Sequence, residues 1–80
     1  MPPQATPEIT GRDSYLIEKA LFYAAHFIEG LSVEHQALSD RSDMLMLLRA
    51  RLGDNFMAQA EMFGRTLEQA TGRPFNVEEY

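Results

Sequence analysis

Two residues of the chain have the types and spacing that a metal site uses, His26 and Glu29. On a helix, residues three apart are neighbours, so the imidazole and the carboxylate would share one side. Metal sites in helical bundles draw several carboxylates and histidines from four helices. One such pair per chain falls short of that set, even if a second copy doubled it. We therefore interpret His26 and Glu29 as a surface pair and predict no metal and no cofactor.

Catalytic groups show no comparable grouping. The chain has no cysteine, and its serines at 14, 32, 39 and 42 lie outside any Gly-x-Ser-x-Gly motif. The paired carboxylates Asp40 and Asp43 suit the start of a helix, because acidic side chains complement the helix dipole there. The sequence thus predicts a protein that is not an enzyme.

Charge and composition also limit the partners. The net charge is −5, and the one lysine and six arginines are spread along 80 residues. Nucleic-acid binding depends on clustered basic residues that neutralise phosphates. No apolar run approaches the roughly 20 residues that a membrane helix needs. We expect neither nucleic acid nor membrane as a partner. Because the chain also lacks cysteine and a secretory signal pattern, we expect it to be cytoplasmic.

The elements that would position these residues are helical. Residues 1–10 hold three prolines and predict a flexible N-terminal arm. Helix 1 is expected from about Asp13 to Glu29, with Gly30 as its cap. A second helical stretch is expected from about Asp40 to Thr71, ended by Gly72 and Pro74. The helical domain would span 11–72, followed by an extended C-terminal tail over 73–80.

Gly53-Asp54 leaves two alternatives for the second stretch. Apolar residues keep helical phase across this point, which favours one continuous or kinked helix. Alternatively, Gly53 ends one helix and Asp54 begins a third. In that case residues 42–52 and 55–70 have the order of a helix-turn-helix, with Asn55 and Gln59 at the start of the second helix.

The fold is predicted to be all-α, an antiparallel helical hairpin of two long helices or, with a break at Gly53, three. The helical spacings of three and four define one expected core face on each helix. The expected core residues are Ile17, Leu21, Ala24, Phe27, Ile28 and Leu31 against Leu45, Leu48, Leu52, Phe56, Phe63 and Leu67.

Helix 1 is apolar on nearly every side between Ala20 and Ile28. A helix of this kind must be buried on every side, and a chain of 80 residues has too few helices to enclose it. We therefore predict that two copies pair into a dimeric four-helix-like bundle. The expected interface residues are Tyr15, Phe22, Tyr23, Met44, Leu47 and Met62.

These observations predict a small non-enzymatic helical interaction module that acts as a homo-oligomer, as an adaptor or accessory subunit. A protein partner other than a second copy remains open. One alternative is metal or small-ligand binding in the bundle interior through His26, Glu29 or Glu18. The other is a weak nucleic-acid-binding regulator.

Overall fold

The computed structural model describes residues 11–77, and every regular element in that range is helical. Helix α1 spans Gly11–Glu29, α2 spans Leu38–Leu52 and α3 spans Phe56–Thr71. Short 3-10 turns at Val33–His35 and Gly53–Asn55 join them. Residues 73–77, here called the C-terminal segment, have no regular structure. The predicted arm, residues 1–10, and the last residues of the tail, 78–80, lie outside the described residues.

Helices α1 and α2 run in opposite directions. Near the end of α1, Glu29 lies 2.7 Å from Arg41, near the start of α2. In the first half of α1, Glu18 lies 3.5 Å from Arg51, at the end of α2. The two ion pairs therefore fix α1 and α2 side by side in antiparallel orientation.

The second helical stretch is broken at Gly53, so the preferred interpretation of one continuous or kinked helix is wrong. Three helices form, as in the alternative, but the third begins at Phe56 rather than at Asp54. Gly53 adopts φ +54° and ψ −125°, a conformation that is accessible mainly to glycine. The apolar residues on either side of the break still face the same core, because the turn between the two helices is short. Phe56, four residues after Leu52, begins α3 and returns to the core.

The core forms where the three helices meet around Phe22, which is completely buried. The ring of Phe22 lies 5.2 Å from that of Phe63 and 5.8 Å from that of Phe56. The predicted core residues of α2 and α3 are confirmed: Leu45, Leu48, Phe56, Phe63 and Leu67 are buried, and Leu52 packs against them.

The predicted core face of α1 is wrong in most of its residues. Of the six, Ile28 is buried and Leu21 packs against the core. In contrast, Phe27 is 65% exposed and Ile17 is 38% exposed. The helix is turned so that Phe22, Ala25 and His26 face inward. Periodicity could not choose between the two faces, because both carry apolar side chains.

The C-terminal segment completes the core. Val77 is buried, and the Phe75 ring stands at 89° to the Phe22 ring at a centroid distance of 6.0 Å. Gly72, with φ +78° in the left-handed region, ends α3 and redirects the chain toward α1 and α2. The segment is therefore part of the packed structure rather than a tail beside it.

Candidate interaction surface

Three polar side chains of α1 face inward, Glu18, His26 and Glu29, and each has a partner there. Arg41 is only 6% exposed and donates to Glu29 through both Nε and Nη2. The same guanidinium donates to the backbone oxygen of Asn76, and the Asn76 N–H donates to Glu29 Oε1 over 3.4 Å. Because a buried charge is tolerated only when it is paired and hydrogen-bonded, these contacts allow Glu29 to face the interior.

His26 is 2% exposed, so its interpretation as a surface residue is wrong. Its Nε2 lies 3.0 Å from the carbonyl oxygen of Arg73, and its Nδ1 lies 3.3 Å from Arg73 Nη2. An imidazole with a proton on Nε2 satisfies both contacts, donating to the carbonyl and accepting from the guanidinium. Both nitrogens are therefore engaged in holding the C-terminal segment.

These partners bear on the metal and small-ligand alternative. His26 and Glu29 bind Arg73 and Arg41 rather than converging on one point. Among residues 11–77, no three His, Cys, Asp or Glu side chains are grouped as metal ligands. A cavity of about 310 Å³ lies beside Glu29, Arg41 and Arg73. Of its charged lining residues, Glu29 pairs with Arg41, and Arg73 donates to the carbonyl oxygen of His26.

Glu18 is the third inward polar residue of α1. Its carboxylate accepts from Ser14 Oγ at 3.1 Å and pairs with Arg51. Arg51 Nη2 also donates to Ser14 Oγ over 2.9 Å. The start of α1 is thus fastened to the end of α2 by polar groups.

The side of α1 opposite Phe22 is also apolar, and it faces outward. Its residues repeat at alternating intervals of three and four, the spacing of a helix–helix packing seam. Phe27, Ile17 and Ala20 are exposed, while Ala24 and the following Leu31 are half-buried. We call Ile17, Ala20, Ala24, Phe27 and Leu31 the outer stripe of α1.

Helix α2 carries a second stripe at the same kind of spacing. It consists of Asp40, Met44, Leu47 and Arg51, and Leu47 is 55% exposed. A shallow cavity of about 420 Å³ adjoins Leu47, lined also by Asp43, Met46 and Ala50. The middle of this stripe is therefore an open apolar surface with charges at its ends.

The two stripes belong to one surface. Ser14 precedes Ile17 of the outer stripe by three residues, so the two are neighbours along one flank of α1. Arg51 ends the α2 stripe and contacts Ser14. The flanks of the two helices therefore adjoin, and we call the combined stripes the α1–α2 face.

The six predicted interface residues have different locations. Phe22 is fully buried within one chain, so its placement at an interface is wrong. Tyr15 and Tyr23 are half-buried and place their rings 6.0 and 6.2 Å from that of Phe63. Leu47 and half-buried Met44 lie on the α1–α2 face, while Met62 is exposed on α3. Only the two α2 residues thus lie on this face. The stripe of α1 was assigned to the core instead.

Most of the arginines bind groups within the chain. Arg41, Arg51 and Arg73 make the contacts described above. Arg49 lies 4.4 Å from the centroid of the Phe56 ring and donates to the backbone oxygen of Val77 over 3.1 Å. These four cations hold the C-terminal segment and α1 in place rather than forming a basic patch.

Comparison with known proteins gives no further guide to function. No protein-family model, no curated protein and no solved structure matches the chain. Among the described residues, no helix has the length and apolar character needed to cross a membrane. The α1–α2 face is therefore the feature from which a function can be inferred.

Proposed function

We propose that this protein is a small helical interaction module that self-associates through the α1–α2 face. In this proposal α1 and α2 of each copy form an antiparallel hairpin, and two hairpins pack into a four-helix bundle. The bundle serves as an adaptor or accessory subunit and performs no catalysis. The observation that carries the proposal is the orientation of α1, which buries His26, half-buries Glu18 and Glu29 and leaves Phe27 65% exposed.

This orientation favours association on energetic grounds. Burial of a fully exposed phenylalanine contributes about 1.5–3 kcal/mol, and Ile17 and Leu47 would add smaller amounts. In a single chain those contributions are lost, since the outer stripe of α1 contacts water. A second copy on the face would recover them without disturbing the polar contacts inside.

The size of the face also suits a dimer. Helix α1 has 19 residues and is therefore about 28 Å long. Two helices packed about 9 Å apart present a face on the order of 500 Å² in projection. Accessible area exceeds projected area, so the face approaches the roughly 800 Å² per partner of a standard interface.

Other functions receive less support from the described residues. The buried titratable groups bind one another and the C-terminal segment, which accounts for them structurally. The arginines that would contact phosphates have partners within the chain. A cytoplasmic location remains part of the proposal, supported by the lack of cysteine.

Replacement of Phe27 by glutamate tests the proposal. Phe27→Glu places a charge at the centre of the apolar stripe, so the variant should be monomeric at concentrations where the wild type is a dimer. Its circular dichroism should stay helical, because Phe27 contributes little to the core of one chain. Sedimentation velocity measures the shift in mass.

Met57→Glu is the matched control, since Met57 is a half-exposed apolar residue on α3, outside the face. It should leave association unchanged. A Phe27→Glu protein that dimerises like the wild type would refute the assignment of this face. Equal loss of association in both variants would indicate a general effect of added charge and would also count against the assignment of this face.

A further inference from the structure

We infer that the second copy packs antiparallel on the α1–α2 face, about a two-fold axis that crosses the helices at the level of Ala24. This inference rests on the proposed function and adds the orientation and register of the partner. In this arrangement α1 lies on α1 of the second copy, and α2 lies on α2. Each end of one α1–α2 face therefore contacts the opposite end of the same face on the second copy.

The α2 stripe carries the first argument. Along it, Asp40 is followed by Met44, Leu47 and Arg51, so an acidic end and a basic end flank two apolar residues. When a copy of this stripe is turned end to end, Asp40 meets Arg51 of the second copy and Met44 meets Leu47 of the second copy. The stripe is therefore complementary to itself in the antiparallel sense, as a two-fold interface requires.

The parallel alternative brings like charges together. Asp40 and Asp43 are both exposed at the start of α2, whereas neighbouring Arg41 is buried against Glu29. A two-fold axis parallel to the helices would collect the four aspartates of two copies at one end of the bundle. Complementary charges of this kind set orientation more than affinity.

Arg51 is held in a position that suits this contact. Its Nε faces Glu18, its Nη2 donates to Ser14, and its side chain is 31% exposed. A guanidinium has five N–H donors, so donors remain for an aspartate of the second copy. The internal contacts also reduce the entropy lost when the interface forms.

The outer stripe of α1 gives the same register independently. The Glu29–Arg41 and Glu18–Arg51 pairs place Ala24 beside the midpoint of the α2 stripe. End-to-end exchange about that level puts Ala24 opposite Ala24 of the second copy. It puts exposed Phe27 within about 1.5 Å, along the helix axis, of the level of the small Ala20 of the second copy. A large side chain therefore meets a small one, which permits close packing of the two helices.

Disulfide trapping of full-length single-cysteine variants tests this register, and the lack of native cysteine makes the readout clean. A disulfide requires Cα atoms about 4.4–6.8 Å apart. Ala24→Cys should therefore cross-link to itself on mild oxidation. Leu31→Cys should not, because the two copies of residue 31 would be about 21 Å apart along the helices. Mixed Ile17→Cys and Leu31→Cys proteins should form the crossed heterodimer.

The outcomes distinguish the proposed antiparallel register from the proposed self-association. Efficient self-linkage of Leu31→Cys, or a dimeric Ala24→Cys protein that fails to cross-link, would overturn the antiparallel register and leave self-association standing. A wild type that stays monomeric would overturn the proposed function itself. Circular dichroism of each cysteine variant confirms that its helices are intact.

Discussion

Arg41 holds three parts of the molecule together at a single side chain. It pairs with Glu29 of α1, belongs to α2 and donates to the backbone of the C-terminal segment at Asn76. Because Arg41 is 6% exposed, its loss would leave the Glu29 carboxylate in a poorly solvated site. The pair is thus the main reason that α1 can present this side to the interior.

Replacement of Arg41 by methionine should lower the free energy of unfolding by about 3 kcal/mol, because it leaves a largely buried charge unpaired. Urea denaturation monitored by circular dichroism measures the change. Arg65→Met, at an exposed position on α3, is the control and should change stability by less than about 0.5 kcal/mol.

The double variant Glu29→Met with Arg41→Met identifies the cause. If the unpaired carboxylate is responsible, the double variant should recover much of the lost stability. A single Arg41→Met variant as stable as the control would contradict the structural role of the pair.

At the scale of elements, the two glycines of the second helical stretch have different roles. Gly53 has a positive φ at the break, whereas Gly64 lies inside α3. A Cβ at Gly64 would lie 3.5 Å from the Phe75 side chain, an ordinary contact distance. Their replacement by alanine therefore tests the break directly.

Gly64→Ala should raise the free energy of unfolding by about 0.5–1 kcal/mol, because alanine is the better residue within a helix. Gly53→Ala should lower it by about 1–3 kcal/mol through backbone strain at the break. Thermal and urea unfolding of the two variants provides the comparison. A stabilising Gly53→Ala would instead support a continuous helix through residue 53.

The sequence determined the helical class and the core of α2 and α3, but not the orientation of α1. Leu45, Leu48, Phe56 and Phe63 could be assigned because they keep one helical phase across both helices, and all four are buried. Helix α1 offers two apolar faces, so its orientation depends on partners distant in sequence. Arg41, Arg51 and Arg73 supply those partners, and no local pattern links them to Glu29, Glu18 and His26.

The α1–α2 face likewise could not be predicted from the local sequence pattern. Its α1 residues were identified as apolar and helical in phase, but their spacing suits a core and an interface equally. Only the burial of the opposite side shows that one chain does not use them. The C-terminal segment was missed for a related reason, since Phe75 and Val77 pack without any periodic signal.

At the scale of the whole molecule, one chain has an apolar core with partnered polar side chains beside it, and it leaves further apolar side chains exposed on the α1–α2 face. Pairing two α1–α2 faces covers Phe27 and Leu47 and leaves the outer side of α3 facing solvent. That surface would then be available to a further protein partner. Self-association is the claim on which this arrangement depends.

Sedimentation equilibrium of the wild-type chain over a range of concentrations tests that claim most directly. We expect a species with twice the 9.1 kDa mass of one chain, which dissociates on dilution. A single species of 9.1 kDa that persists at the highest concentrations reached would contradict it.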